Sequence, residues 1–175
     1  MFTAIYDKYG KTDYYLVRKK TKEEFETGQL NPFAGIEVPV VGQPVASFVM
    51  EGADSNIYDS DKLRDSYVLL SFWLKFKKPY FGPNSNKDLV TLVDKVRAKG
   101  TPLVSLGVSY SSPEECQTAM KELNLGFIPI PDSRGFIMRY VSPNSPSFLL
   151  IGPDGKILAR SEGDSPLKLE KYFVK

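Results

Sequence analysis

The chain has 175 residues, an apolar share of 42%, a charged share of 25% and a net charge of +2. This is one domain's length with room for an appendage; it can bury about two thirds of its unfolded surface without a disulfide staple, its charge is too small and dispersed for nucleic acid, and no apolar run of 18 residues is present to form a membrane-spanning helix. The absence of histidine excludes Ser-His-Asp and Cys-His catalysis and histidine-based metal sites, and a single cysteine, Cys116, excludes an internal disulfide, a two-cysteine redox cycle and a thiolate zinc site.

Residues 2–6 and 13–17 are β-prone runs flanking a turn rich in Asp, Lys and Gly, which predicts a hairpin. Asp7 and the lack of a long apolar core argue against a signal peptide in this opening stretch. Thr21 and Glu24 form a capping-box pattern, so a short helix is expected to follow and to stop at Gly28. Residues 29–46 hold Pro32, Pro39 and Pro44 and read as an extended connection. Residues 1–41 are thus expected to be an accessory hairpin, helix and connection, either packed on a main domain at 42–175 or belonging to an upstream domain.

The main domain is expected to begin with a short strand at 47–50 and a turn or short helical segment at 58–64. Residues 68–73, VLLSFW, are apolar on both faces, as a buried parallel strand must be. A loop at 74–83 leads into a helix at 84–98, where Leu89, Leu92, Val93 and Val96 recur at helical spacing and Gly100 supplies the stop. A second buried strand at 102–108 completes a βαβ unit with a right-handed crossover. Ser112, Pro113 and Glu115 open the next helix with a capping box; its apolar face is Cys116, Ala119, Met120 and Leu123. Residues 127–131 are extended, and a short helix over 132–140 is expected with Asp132 as its cap. Strands at 147–151 and 156–160 flank the turn Gly152-Pro153-Asp154-Gly155. Ser165 and Pro166 begin a final helix at 166–173.

Four segments carry a resemblance. Residues 42–48, GQPVASF, are similar to a domain-opening GxPAPxF, with Ala46 in place of the second proline. Residues 68–73 are similar to VLLNFW, residues 145–151, SPSFLLI, to a segment with a cis-proline ending in FLID, and residues 152–157, GPDGKI, to the following DxxGKI hairpin. Together, in this order, they resemble the thioredoxin superfamily, most of all its TlpA-like or ResA-like bacterial envelope branch and the neighbouring redoxin (AhpC/TSA) group. The resemblance covers about 42–173. It implies an α/β, thioredoxin-like fold with a central mixed β-sheet flanked by helices, here with an N-terminal hairpin and helix extension, and a location in the periplasm or cell envelope.

The departure lies at the family's active site. The family reads FWATWCPPC, whereas residues 72–80 read FWLKFKKPY, which puts Lys77 where the attacking cysteine belongs and Tyr80 where the resolving cysteine belongs. The family's thiols work because a helix N-terminus lowers the pKa and yields a thiolate. An ammonium gains nothing from that dipole and accepts no disulfide, so the dithiol activity is not carried over.

Each candidate site has a plainer reading beside it. Cys116 could serve a one-cysteine peroxidase or a mixed disulfide, but on one helical face with Ala119, Met120 and Leu123 it reads first as a small buried residue. Lys75, Lys77 and Lys78, with Phe76, Tyr80 and Phe81, make a basic-aromatic loop suited to an anionic or peptide ligand, or simply a solvated loop; a nucleophilic lysine would need desolvation. The resemblance makes Pro146, with Ser145, the place where an extended substrate pairs main chain to main chain, which needs no thiol; otherwise Pro146 only shapes the core. Trp73 is either a ligand contact or an aromatic packed at the strand end.

The expected function is therefore a redox-inactive thioredoxin-like protein that binds a peptide or protein, or serves an assembly role, through a former active-site groove. The candidate contacts are Trp73, Phe76, Lys77, Lys78, Tyr80, Ser145 and Pro146, with no catalytic residue, metal or cofactor. The alternative is a thiol-disulfide oxidoreductase or peroxidase working through Cys116.

Overall fold

The computed structural model describes residues 2–5, 14–17, 22–28, 39–73, 85–133, 136–137, 147–162 and 165–173. In chain order the elements are β1 (Phe2–Ile5), β2 (Tyr14–Val17), α1 (Lys22–Thr27), β3 (Val49–Glu51), β4 (Ile57–Asp59), β5 (Tyr67–Trp73), α2 (Ser85–Ala98), β6 (Leu103–Ser109), α3 (Pro113–Glu122), β7 (Ile128–Ile130), β8 (Ser147–Ile151) and β9 (Ile157–Glu162), and a closing 3₁₀ helix covers Pro166–Tyr172. β1 and β2 form the expected antiparallel hairpin, and α1 ends before Gly28, whose φ of 70° is the left-handed conformation glycine takes without penalty. The Thr21 half of the proposed capping box lies outside the described residues.

Among the described residues the main sheet has five strands in the order β7-β6-β5-β8-β9. β5 is its middle strand, and every residue from Val68 to Trp73 is buried. A strand apolar on both faces is stable only there, with neighbours on both edges and cover on both sides. It pairs in parallel with β6, from Tyr67↔Leu103 to Trp73↔Ser109, and antiparallel with β8, from Val68↔Ile151 to Phe72↔Ser147.

β5, β6 and β7 are parallel and advance in one direction across the sheet, so right-handed crossovers place α2 and α3 on the same face. That face buries Leu69 and Trp73 of β5 with Leu89, Leu92, Val93 and Val96 of α2, Cys116 and Ala119 of α3, and Leu169 and Phe173 at the chain's end. On the other face Leu70 and Phe72 pack with Phe48, Met50, Ile130 and Phe136. Ser112 caps α3 as expected: its Oγ accepts from Glu115 N at 3.3 Å and its N–H donates to Glu115 Oε2 at 3.2 Å. Ser112→Ala removes an acceptor from the first turn and is expected to cost about 1 kcal/mol, read as a lowered urea midpoint at unchanged m-value.

The structure corrects several expectations. The strand expected at 47–50 is β3, Val49–Glu51, and the 58–64 segment begins with a strand, so 49–59 is a hairpin. Its tip is held by polar groups: Asp54 Oδ1 accepts from Asn56 N at 3.2 Å, Gly52 N–H donates to Asn56 O at 2.9 Å, and Ser55 has φ 64°. Strands of three residues around such a tip carry too little alternation to be read from sequence.

Asp132 is not a helix cap. It has φ 47°, and the turn that follows starts one residue later, with Ile137 N–H donating to Ser133 O at 2.8 Å. Only Phe136 and Ile137 are helical there among the described residues. The closing helix is 3₁₀ rather than α: Lys168 N–H bonds Ser165 O and Phe173 N–H bonds Glu170 O, both i to i−3. Pro166 and Leu169 are buried, and Leu169, Tyr172 and Phe173 pack into the same core as α2. Met120, placed on the buried face of α3, is 38% exposed, while Cys116 and Ala119 are buried.

Candidate functional site

In sheets of this kind ligands bind beyond the carboxyl ends of the parallel strands. Here that end carries Trp73 of β5, Ser109 of β6 and Ile130 of β7. Among the candidate contacts, Trp73 lies in the described residues; Phe76, Lys77, Lys78, Tyr80, Ser145 and Pro146 lie outside them. The strands that flank those candidates are fixed. Phe72 is the register partner of Ser147, so the strand entering residues 74–84 and the strand leaving residues 138–146 are neighbours at this end.

Trp73 is 5% exposed, and its ring stacks on Phe127 with centroids 5.5 Å apart and planes 22° apart. Its Nε1–H donates to Ser71 Oγ at 2.8 Å, and Ser71 Oγ donates to Leu106 O at 3.2 Å. Both the apolar surface and the polar atom of the indole are therefore engaged within the protein. Trp73 props the end of β5.

Gly107 makes this stack possible. A Cβ there would lie closer to atoms of the Phe127 ring than real contacts come, so a side chain at 107 would displace the ring. Glycine within an apolar strand signals a close approach, and this signal in residues 103–109 would have pointed to the contact.

Cys116, the one candidate for chemistry, sits in the core beneath α3. It is fully buried, and its Sγ is 3.8 Å from Ser109 Oγ. Burial pushes the thiol up to about 11; the Asp132 and Glu115 carboxylates act in the same sense, against the Ser109 contact. A nucleophilic thiolate needs the opposite: a positive setting and partial exposure. Ser109 is occupied within the fold, since its Oγ also donates to Ile130 O at 3.3 Å and accepts from Ser111 N at 3.2 Å.

A further concavity was not anticipated. A cleft of about 470 Å³ opens between the β3–β4 hairpin and the end of β7, with Pro113 and Gln117 of α3 on its far side. Met50, Ile130 and Phe136 are buried in its floor, and Glu51 and Asp132 stand at its rim. Its lining comes from three separate stretches of chain, so nothing local in the sequence announces it.

No protein-family model matches the chain, and no curated protein does. Solved structures do. A thiol-disulfide oxidoreductase from Bacteroides fragilis matches at 25% identity over 75% of this chain and 100% of its own, with a TM-score of 0.61. The exposed lipoprotein thioredoxin of Streptococcus pneumoniae matches at 19% identity over 73% of this chain and 98% of its own, with a TM-score of 0.58. PrxQ of Xylella fastidiosa, as a C47S mutant, matches at 15% identity over 78% of this chain and 94% of its own, with a TM-score of 0.61.

Proposed function

We propose that this chain, whose fold is thioredoxin-like, is a redox-inactive relative of the thiol-disulfide oxidoreductases that binds a peptide or protein segment. The groove would lie between residues 74–81 and 144–147. The observation that carries the reading is the place of the only thiol: Cys116 is enclosed in the core with its pKa raised, and a dithiol cycle needs two. The segment after β5 holds Lys77 and Tyr80 in place of cysteines. Adjacency of Phe72 and Ser147 in the sheet supports a groove between the loops those strands carry.

Main-chain pairing of an extended segment requires no thiol. In this reading Phe76, Lys77, Lys78, Tyr80, Ser145 and Pro146 meet the ligand, and Trp73 supports the groove from below. The likeness to an exposed lipoprotein favours the cell envelope. The alternative, chemistry through Cys116, requires that thiol to reach solvent, and its enclosure weighs against it.

The test is a screen of extended peptides followed by titration of the best binder. Lys77→Ala and Tyr80→Ala are expected each to weaken binding by about tenfold if these positions are anchors, with no reduction of insulin disulfides and no peroxide turnover. Turnover that disappears in Cys116→Ser would overturn the proposal in favour of the alternative.

A further inference from the structure

The cleft beside β7 has a chemistry of its own. Its floor, Met50, Ile130 and Phe136, belongs to the core face and is apolar. Every charged residue in its described lining is a carboxylate, Glu51 or Asp132, and both residues are exposed. Among the described residues neither side chain has an ion-pair or hydrogen-bond partner. Its volume of about 470 Å³ admits a long side chain with its neighbours.

The edge of the sheet next to it is closed to an added strand. Pro129 gives its carbonyl to Ala53 N–H at 2.8 Å and has no N–H, and Pro131, the next residue facing outward, has none either. An occupant must therefore enter by its side chains rather than by strand pairing.

We infer that this cleft accepts a lysine or arginine side chain, flanked by apolar residues, from a partner polypeptide. The alkyl stem lies on Met50, Ile130 and Phe136, and the cationic head meets Glu51 and Asp132 at the rim. Long cationic side chains bury their stems and keep their heads at a wet, charged edge in this way. Two exposed carboxylates beside apolar surface favour that occupant over an anionic or neutral one. The site is independent of the groove proposed above, since none of its described lining comes from β5 or β8.

The experiment titrates the isotopically labelled full chain with a capped pentapeptide, Ala-Leu-Lys-Leu-Ala, and with its glutamate analogue, following backbone amide shifts. The lysine peptide is expected to give saturable shifts at Gly52, Ser55 and Gln117 that weaken with added salt, and the glutamate peptide none. Glu51→Gln and Asp132→Asn are each expected to weaken binding about two- to fivefold. Asn suits the left-handed backbone at position 132, so that variant keeps the fold. Three results would each overturn the assignment: no saturable shift for the lysine peptide, equal binding of the two peptides, or affinity unchanged in both variants. Shifts confined to Trp73 and Ser147 would place the peptide at the other groove and equally refute this site.

Discussion

Trp73→Ala is expected to destabilise the protein by about 3–5 kcal/mol, and Gly107→Ala by about 1–3 kcal/mol. The two act through one contact. The Phe127 ring occupies the space where a Cβ of Gly107 on β6 would be, and it stacks with the indole of Trp73 on β5. Removing the indole leaves a cavity against a ring that has nowhere to collapse, because Gly107 already lets it rest on the sheet. Adding a methyl at 107 pushes the ring out of its place and breaks the stack. Once either change is made, the other has less to disturb, so the double variant is expected to cost less than the sum. Trp73→Phe keeps much of the apolar area and gives up the bond to Ser71 Oγ, so it should fall between wild type and Trp73→Ala. Urea unfolding of the four variants decides this. A Gly107→Ala protein within about 0.5 kcal/mol of wild type would show that the ring has room to move, and the contact would lose its role.

The same residues show what the sequence carried and what it withheld. β5 was readable because a run of six apolar or small residues with Val, Phe and Trp in it is strand length and suits a strand covered on both sides. The α3 start was readable because Ser112, Pro113 and Glu115 meet the needs of a helix N-terminus locally. The β8–β9 turn was readable for the same reason, with Gly155 at φ 76°. β4 and the form of the closing helix were not, since three residues hold no period and both 3₁₀ and α helices tolerate Ser-Pro at their start. Asp132 could be misread as a cap because aspartate favours both cap and left-handed positions; the bonds from Asp132 N to Ser111 O and Ser133 N to Ser109 O decide it, and these are tertiary.

The site was legible only as far as chemistry depends on residue identity. That the chain holds one cysteine is a statement about composition, and it closes an internal dithiol cycle without any geometry. The plainer reading of Cys116 followed from its helical face, and its burial agrees. The cleft beside β7 was out of reach, because Glu51 and Asp132 read as ordinary surface carboxylates until the fold brings residues 49–57, 113–117 and 130–136 together. Whether a carboxylate is paired is a property of the fold, not of the residue.

The strongest chemical consequence concerns the thiol. Native Cys116 is expected to react with a disulfide reagent at pH 7 at least about a thousandfold more slowly than the unfolded chain. Raising its pKa from 9.0 to about 11 lowers the thiolate fraction by about a hundredfold, and full enclosure beneath α3 makes the remainder wait for an opening of the fold. The shift also sets a pH dependence. Below about pH 9 folded and unfolded chains both hold the thiol proton, and the group adds no slope. Between about 9 and 11 the unfolded chain releases it while the folded chain retains it, so stability falls as pH rises through that window. Tyr58, raised to about 12 by burial and by its hydrogen bond to Asp54 at 2.7 Å, continues the fall at higher pH. Cys116→Ser is expected to flatten the first part of the profile and Tyr58→Phe the second. Denaturant midpoints across pH 8 to 11.5 measure both. Rapid native labelling would show an accessible thiolate, and the proposed redox-inactive role would then give way to chemistry at Cys116.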